Sequence, residues 1–157
     1  RSRILCWVAL LLWVTGAALA GWFFVKGWTT PGADGRMQIL LAPAERDQIL
    51  GEMRLLLKAV HGVVTGLAGQ DRQADRMQAE QAARAAGMGM AADVNPALMA
   101  KLPLPFKQMG MSVHKDFDGL ADAIAQGETP QQVMARLASI TSRCITCHDL
   151  YRLPAEK

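Results

Sequence analysis

Three stretches of the chain set apolar residues at intervals of three and four, and this limits the fold more than any other feature. The first runs Ile49, Met53, Leu56, Val60, Val63, Leu67. The second is Phe106, Met109, Val113, Phe117, Leu120, Ile124, and the third Val133, Leu137, Ile140, Cys144, Cys147. A repeat near 3.5 residues lines up each set on one face of a helix, and such a face is stable only against another.

The boundaries are readable as well. Pro43 opens the first helix and Gly69 stops it; Gly127 closes the helix that follows Pro105. Thr129-Pro130-Gln131-Gln132 offers a capping threonine, proline at the first helical position and glutamine at the third. An alanine-rich segment, Arg72 to Ala86, adds a helix with a weak apolar stripe, expected to be the least firmly packed. Gly87 to Pro105 reads as a long connection with one short helical turn, Pro96 to Ala100. Alternating Val, Ile, Thr and Tyr are scarce. The expected class is all-α: an antiparallel four-helix bundle over residues 42–157, with the short turn before Thr129 making the last two helices antiparallel neighbours.

Ahead of the bundle, Ile4 to Val25 contains no charged residue. At about 1.5 Å per residue this covers roughly 33 Å, enough to cross the hydrocarbon of a bilayer. Arg1 and Arg3 put the N-terminus on the cytoplasmic side, and Trp22 and Trp28 fall where an aromatic belt would lie on the other. Ala18-Leu19-Ala20 followed by Gly21 is an acceptable signal-peptidase site. The apolar run continues past it through Trp22, Phe23, Phe24 and Val25. The expectation is therefore an uncleaved single-pass anchor over residues 1–28, with residues 4–25 in lipid and everything after it outside the cytoplasm. Gly27 to Arg36 is dense in Gly, Pro, Thr and Asp, so residues 29–41 read as a linker.

Charge narrows the function classes. Of the 17 Lys and Arg, Arg1, Arg3 and Lys26 flank the apolar start, and the rest match the 14 Asp and Glu one for one. The remainder is thus neutral, without a basic stripe for nucleic acid. Cys6, inside the apolar segment, is expected to be a small buried hydrophobe; with three cysteines in all, no disulfide framework is implied.

The chemistry lies in Cys144-Ile145-Thr146-Cys147-His148. Such a spacing serves a redox disulfide, half a zinc site or a haem tether. Redox C-x-x-C pairs sit at the start of a helix after a strand, whereas this one ends the terminal helix. Zinc needs four ligands, and there is no second cysteine pair; His61 and His114 lie far off in sequence. Attachment of c-type haem accounts for every element: each thiol makes a thioether to a vinyl group, and the adjacent imidazole binds the iron. The extracytoplasmic setting agrees with it, and the cysteines prolong the inward seam.

A four-helix bundle with C-x-x-C-H near the end of its last helix resembles the class II cytochromes c, the cytochrome c′ group. "CITCHDLYRL" is similar to their ending, C-x-x-C-H-x-x-Tyr/Phe-Arg, and the likeness covers roughly residues 40 to 153. It implies one covalent haem c on Cys144 and Cys147, with His148 as the fifth iron ligand. Tyr151 and Arg152 match the trailing pair, which makes Arg152 a candidate partner of a haem propionate. The anchor departs from the soluble members of the family.

The family has two kinds. In one the sixth iron position is open, the haem is high-spin and small gases bind; in the other a methionine of the first helix closes the site and the protein is a low-spin electron carrier. Met53, on the first seam, stands where the low-spin members resemble it, so Met53 is the expected sixth ligand. Met109 and Met111 are substitutes, His114 a surface or propionate-contacting residue, and His61 partly exposed. No G-x-S-x-G, phosphate-binding glycine loop or second haem motif is present. The implied role is electron transfer, not enzymic catalysis, from an inner-membrane anchor with the haem domain in the periplasm. The partner would be a membrane redox complex or a periplasmic electron-transfer protein; a high-spin gas-binding or sensing haem protein is the alternative.

Overall fold

The computed structural model describes residues 2–69, 72–92 and 95–155. Arg1, whose charge enters the topology reading, lies outside them. Among the described residues there are six helices: α1 (Ser2–Lys26), α2 (Pro43–Ala68), α3 (Arg72–Ala85), α4 (Pro96–Lys101), α5 (Leu104–Ala125) and α6 (Pro130–Leu150). α1 is long and apolar enough to cross a membrane, and none of its apolar window is buried by the rest of the chain. Cys6 lies on this surface that the rest of the chain leaves uncovered.

The four longer helices after α1 enclose the main core. α2 packs on α3, α3 on α5, α5 on α6, and α6 returns to α2. Val63, Phe117, Leu120, Ile124, Val133, Leu137 and Ile140 meet there, all nearly or fully excluded from solvent. All seven come from the three seams, as the 3.5-residue period requires. α6 starts as its sequence predicts: the Gln132 N–H donates to Thr129 Oγ1 at 3.3 Å, and the Thr129 N–H to Gln132 Oε1 at 2.9 Å.

α3 corrects an expectation. Far from being the least firmly packed, it buries Ala79 and Ala83 wholly and sets Ala79 and Ala82 against glycines of α2. A Cβ at Gly66 would lie 2.5 Å from the Asp75 carbonyl and 2.8 Å from Ala79 Cβ, and one at Gly62 2.6 Å from Ala82 Cβ. The two backbones approach because neither side has bulk. Tight packing of this kind leaves almost no hydrophobic stripe to read.

The chain is also not purely helical. Residues read as a linker form a hairpin, β1 (Thr29–Pro31) and β2 (Met37–Ile39), paired antiparallel with Thr29 opposite Ile39. β2 pairs in parallel with β3 (Tyr151–Arg152) just after α6, with Met37 beside Tyr151 and Gln38 beside Arg152. Ile39, at 0% exposure, joins Ile49, Leu98 and Leu102 in a second, smaller core. Short as it is, the sheet fixes the chain after α1 to the far end of α6.

The exit of α1 is fixed too. The Trp28 N–H donates to the Lys101 carbonyl at 2.7 Å, and the Leu40 N–H to the Trp28 carbonyl at 2.8 Å. Gly27 turns the chain at φ +64°, and a Cβ there would fall 2.5 Å from Pro103 N and 2.6 Å from the Lys101 oxygen. Only glycine fits that turn.

Candidate functional site

The last turns of α6 bring Cys144, Cys147 and His148 to one side of the helix, as spacings of three and four dictate. Above the sealed Ile140, the helix borders open space. One cavity of about 340 Å³ is lined by Met53, Phe106, Cys147, His148, Tyr151 and Arg152, among others. A second, of about 110 Å³, is lined by Met53, Phe106, His148 and both Cys144 and Cys147. Four residues border both: Met53, Phe106, Cys147 and His148. The combined space is in the range of small-molecule and cofactor sites, and its walls are chiefly apolar. A cavity of about 420 Å³ at the opposite end, between Gly66, Asp75, Arg76 and Val133, has no sequence-predicted site residue in its lining.

Each wall has a structural cause. The α2 seam that buries Ile49 below carries Met53, half-buried, into the cavity one turn later. Phe106, near the start of α5, meets Tyr151 edge to face with ring centroids 5.5 Å apart, which closes one side. Tyr151 is held by the β2–β3 pairing. His148 is exposed at the surface, while Cys144 and Cys147 are half-buried.

Burial raises the Cys144 thiol above its ordinary range and, with the neighbouring Cys144 adding to it, pushes Cys147 up to about 11. Both are protonated at neutral pH, the opposite of what a disulfide-exchange pair needs. Among the described residues, no three His, Cys, Asp or Glu side chains group as ligands for a metal ion. The site offers two thiols, one imidazole and one thioether around an apolar cavity.

The rim is cationic and was only half legible. Arg152 was expected at the site and is there; Arg36, from the hairpin turn, lines the same cavity and was missed. Asp34 ties the two together, accepting from Arg36 Nη2 at 2.7 Å and from Arg152 Nη1 at 3.0 Å. The hydrogen bonds from Arg36, chiefly, hold its carboxyl down at about 2. Arg36 Nη1 also donates to the His148 carbonyl at 3.3 Å, which clasps the hairpin to the end of α6. Nothing in the sequence announces Arg36: its placement depends on strand pairing between residues more than a hundred positions apart.

His114 is a second correction. It is not at the surface but buried in α5, its Nδ1 2.7 Å from the Ala86 carbonyl, bordering the second cavity. Across the space, Glu52 is raised by burial, an effect opposed by His114 and by a hydrogen bond from Gln48. Met109 lines the second cavity only, and Met111 a separate one of about 60 Å³, so neither borders both principal cavities as Met53 does. His61 is exposed. No protein-family model, curated protein or solved structure matches the chain.

Proposed function

We propose that this chain is a membrane-anchored monohaem c-type cytochrome that passes single electrons between redox partners at the periplasmic face of an inner membrane. One observation carries the reading. Met53 of α2 and the Cys147–His148 pair of α6 border the same two cavities, although nothing local in the sequence joins them. Its four longer helices after α1 are read as the antiparallel bundle of the class II cytochromes c.

The donor set fits the group. A haem brings four nitrogens of its own to iron, so the protein would have to supply only the remaining ligands and a tether. Cys144 and Cys147 would carry the thioether links, and His148 and Met53 would be the protein's ligands to the iron. When bound, haem c supplies a one-electron iron couple whose potential a methionine ligand raises. Leu50, Leu56, Phe106 and Val113 give the space apolar walls. Arg36 and Arg152 stand at the rim with charge opposite to that of two carboxylates. α1 would hold the domain beside a membrane redox complex, as a tethered carrier or as a subunit.

The test is covalent attachment. The full chain, produced in a host with c-type haem maturation, should keep peroxidase-stainable haem through denaturing electrophoresis. The Cys144→Ala/Cys147→Ala double variant should lose it. A wild-type band without haem stain refutes the reading.

A further inference from the structure

Six side chains gather where α1 meets the domain, and they pair in a single pattern. Lys26 Nζ lies 5.7 Å from the centroid of the Trp22 ring, Lys101 Nζ 5.3 Å from Trp28, and Lys107 Nζ 3.8 Å from Phe24. Each is a lysine over an aromatic ring of α1 or its exit. Aromatic rings and long cationic side chains are the groups that settle at a membrane–water interface, the ring among headgroup glycerols and the ammonium towards phosphate. We infer that this collar is a seat for the phospholipid headgroup layer, which sets the domain directly on the bilayer at a fixed attitude.

The inference rests on the reading of α1 as a membrane span; it does not depend on haem. Its 25 residues extend about 37 Å, against roughly 30 Å of hydrocarbon, so the turn from Trp22 to Lys26 emerges among the headgroups. Trp22 and Trp28 keep more than half of their surface exposed, and Leu40, hydrogen-bonded to Trp28, stays open beside them. These exposed apolar groups continue the uncovered surface of α1, which identifies lipid as what covers them. Glu45 accepts from Lys101 at 2.6 Å and the Phe24 carbonyl from Lys107 at 3.3 Å. Lys26, exposed, is the cation turned outward, towards a phosphate.

What makes this a seat and not a tether is rigidity. The close turn at Gly27, the Trp28–Lys101 hydrogen bond and the Lys107–Phe24 contact leave no free segment between anchor and domain. A linker would have let the domain swing. The attitude matters for electron exchange, because Phe106 lines the candidate cavity while its neighbour Lys107 rests on Phe24 of α1. Only one residue step of α5 separates the proposed redox site from the anchor.

Neutron reflectometry on the full chain in a supported bilayer of phosphatidylcholine and phosphatidylglycerol tests this without labels. Protein density should begin at the headgroups with no intervening water layer. Gly27→Val, which cannot adopt the turn, should open a water gap or broaden the domain density. If that variant fails to fold, Trp28→Gln removes an exposed ring and should tilt the domain, shifting its density profile. A resolvable water layer under the wild-type domain, with protein density still in the hydrocarbon, overturns the seat alone. Absence of protein density from the hydrocarbon overturns the span and the seat together. The haem stain reports separately on the cytochrome reading.

Discussion

The two halves of α6 follow one pattern and meet different surroundings. Val133, Leu137 and Ile140 are 1–3% exposed and interlock with α2 and α5. One turn further on, Cys144 and Cys147 continue the same 4-3 spacing but are half-buried against open cavities. Periodicity thus decides which face of a helix turns inward, and not what it meets there. In this chain the closed half supplies the stability, and the open half, bounded by a hairpin and two aromatic rings, supplies the site.

Breaking the closed half should have the largest effect. Phe117→Ala removes a ring that is 1% exposed among Val63, Leu120 and Val133. Unfolding in urea should show a loss of about 3–5 kcal/mol. The visible spectrum of the folded protein should be unchanged, because Phe117 borders neither cavity at the site. A spectral change without loss of stability would mean that the two halves are not separate.

Gly66→Ala comes next. Its new Cβ would meet the backbone of α3, and backbone cannot step aside as a side chain can. A destabilisation of about 1–3 kcal/mol is expected. Gly119→Ala on α5 is the control, since no atom lies within 4 Å of a Cβ there; it should stabilise by roughly 0.5–1 kcal/mol through helix propensity. Equal effects at the two glycines would refute the tight α2–α3 contact.

The smallest effect concerns the rim. Asp34 is held at about 2, below its ordinary range, by Arg36 and then Arg152. A carboxyl depressed in the folded state adds stability above its unfolded value, near pH 4, and loses it as pH falls through about 2. Asp34→Asn should therefore lessen the fall in stability across that acid window and lower stability only slightly at neutral pH, measured by thermal unfolding between pH 2 and 6. An unchanged acid profile would mean that the Asp34–Arg36–Arg152 cluster does not form in solution.

Much of this was legible, for identifiable reasons. The seams of α2, α5 and α6, the Thr129 cap and the apolar α1 are local signals, and Pro43 and Pro130 begin their helices where expected. Contacts without a local signature went unread. The α2–α3 contact uses Gly62, Gly66, Ala79 and Ala82, too small to make a stripe. The hairpin contains Pro31, Gly32, Asp34 and Gly35, which read as turn, and its strands of three residues depend on Tyr151 and Arg152 from the other end of the chain. Arg36 and the burial of His114 follow from such long-range pairing, so neither could be seen from neighbouring residues.

On the proposed reading Met53 would close the iron position that is otherwise open, and the absorption spectrum of the haem-loaded full chain would read it directly. The expected wild-type spectrum is low-spin, with the weak red band of methionine–iron bonding and no ready shift under carbon monoxide. Met53→Ala should abolish that band and convert the protein to high-spin while the covalent haem remains. A wild-type spectrum that is already high-spin, or one that Met53→Ala leaves unchanged, contradicts the assignment of Met53 and His148 as the pair that holds the iron.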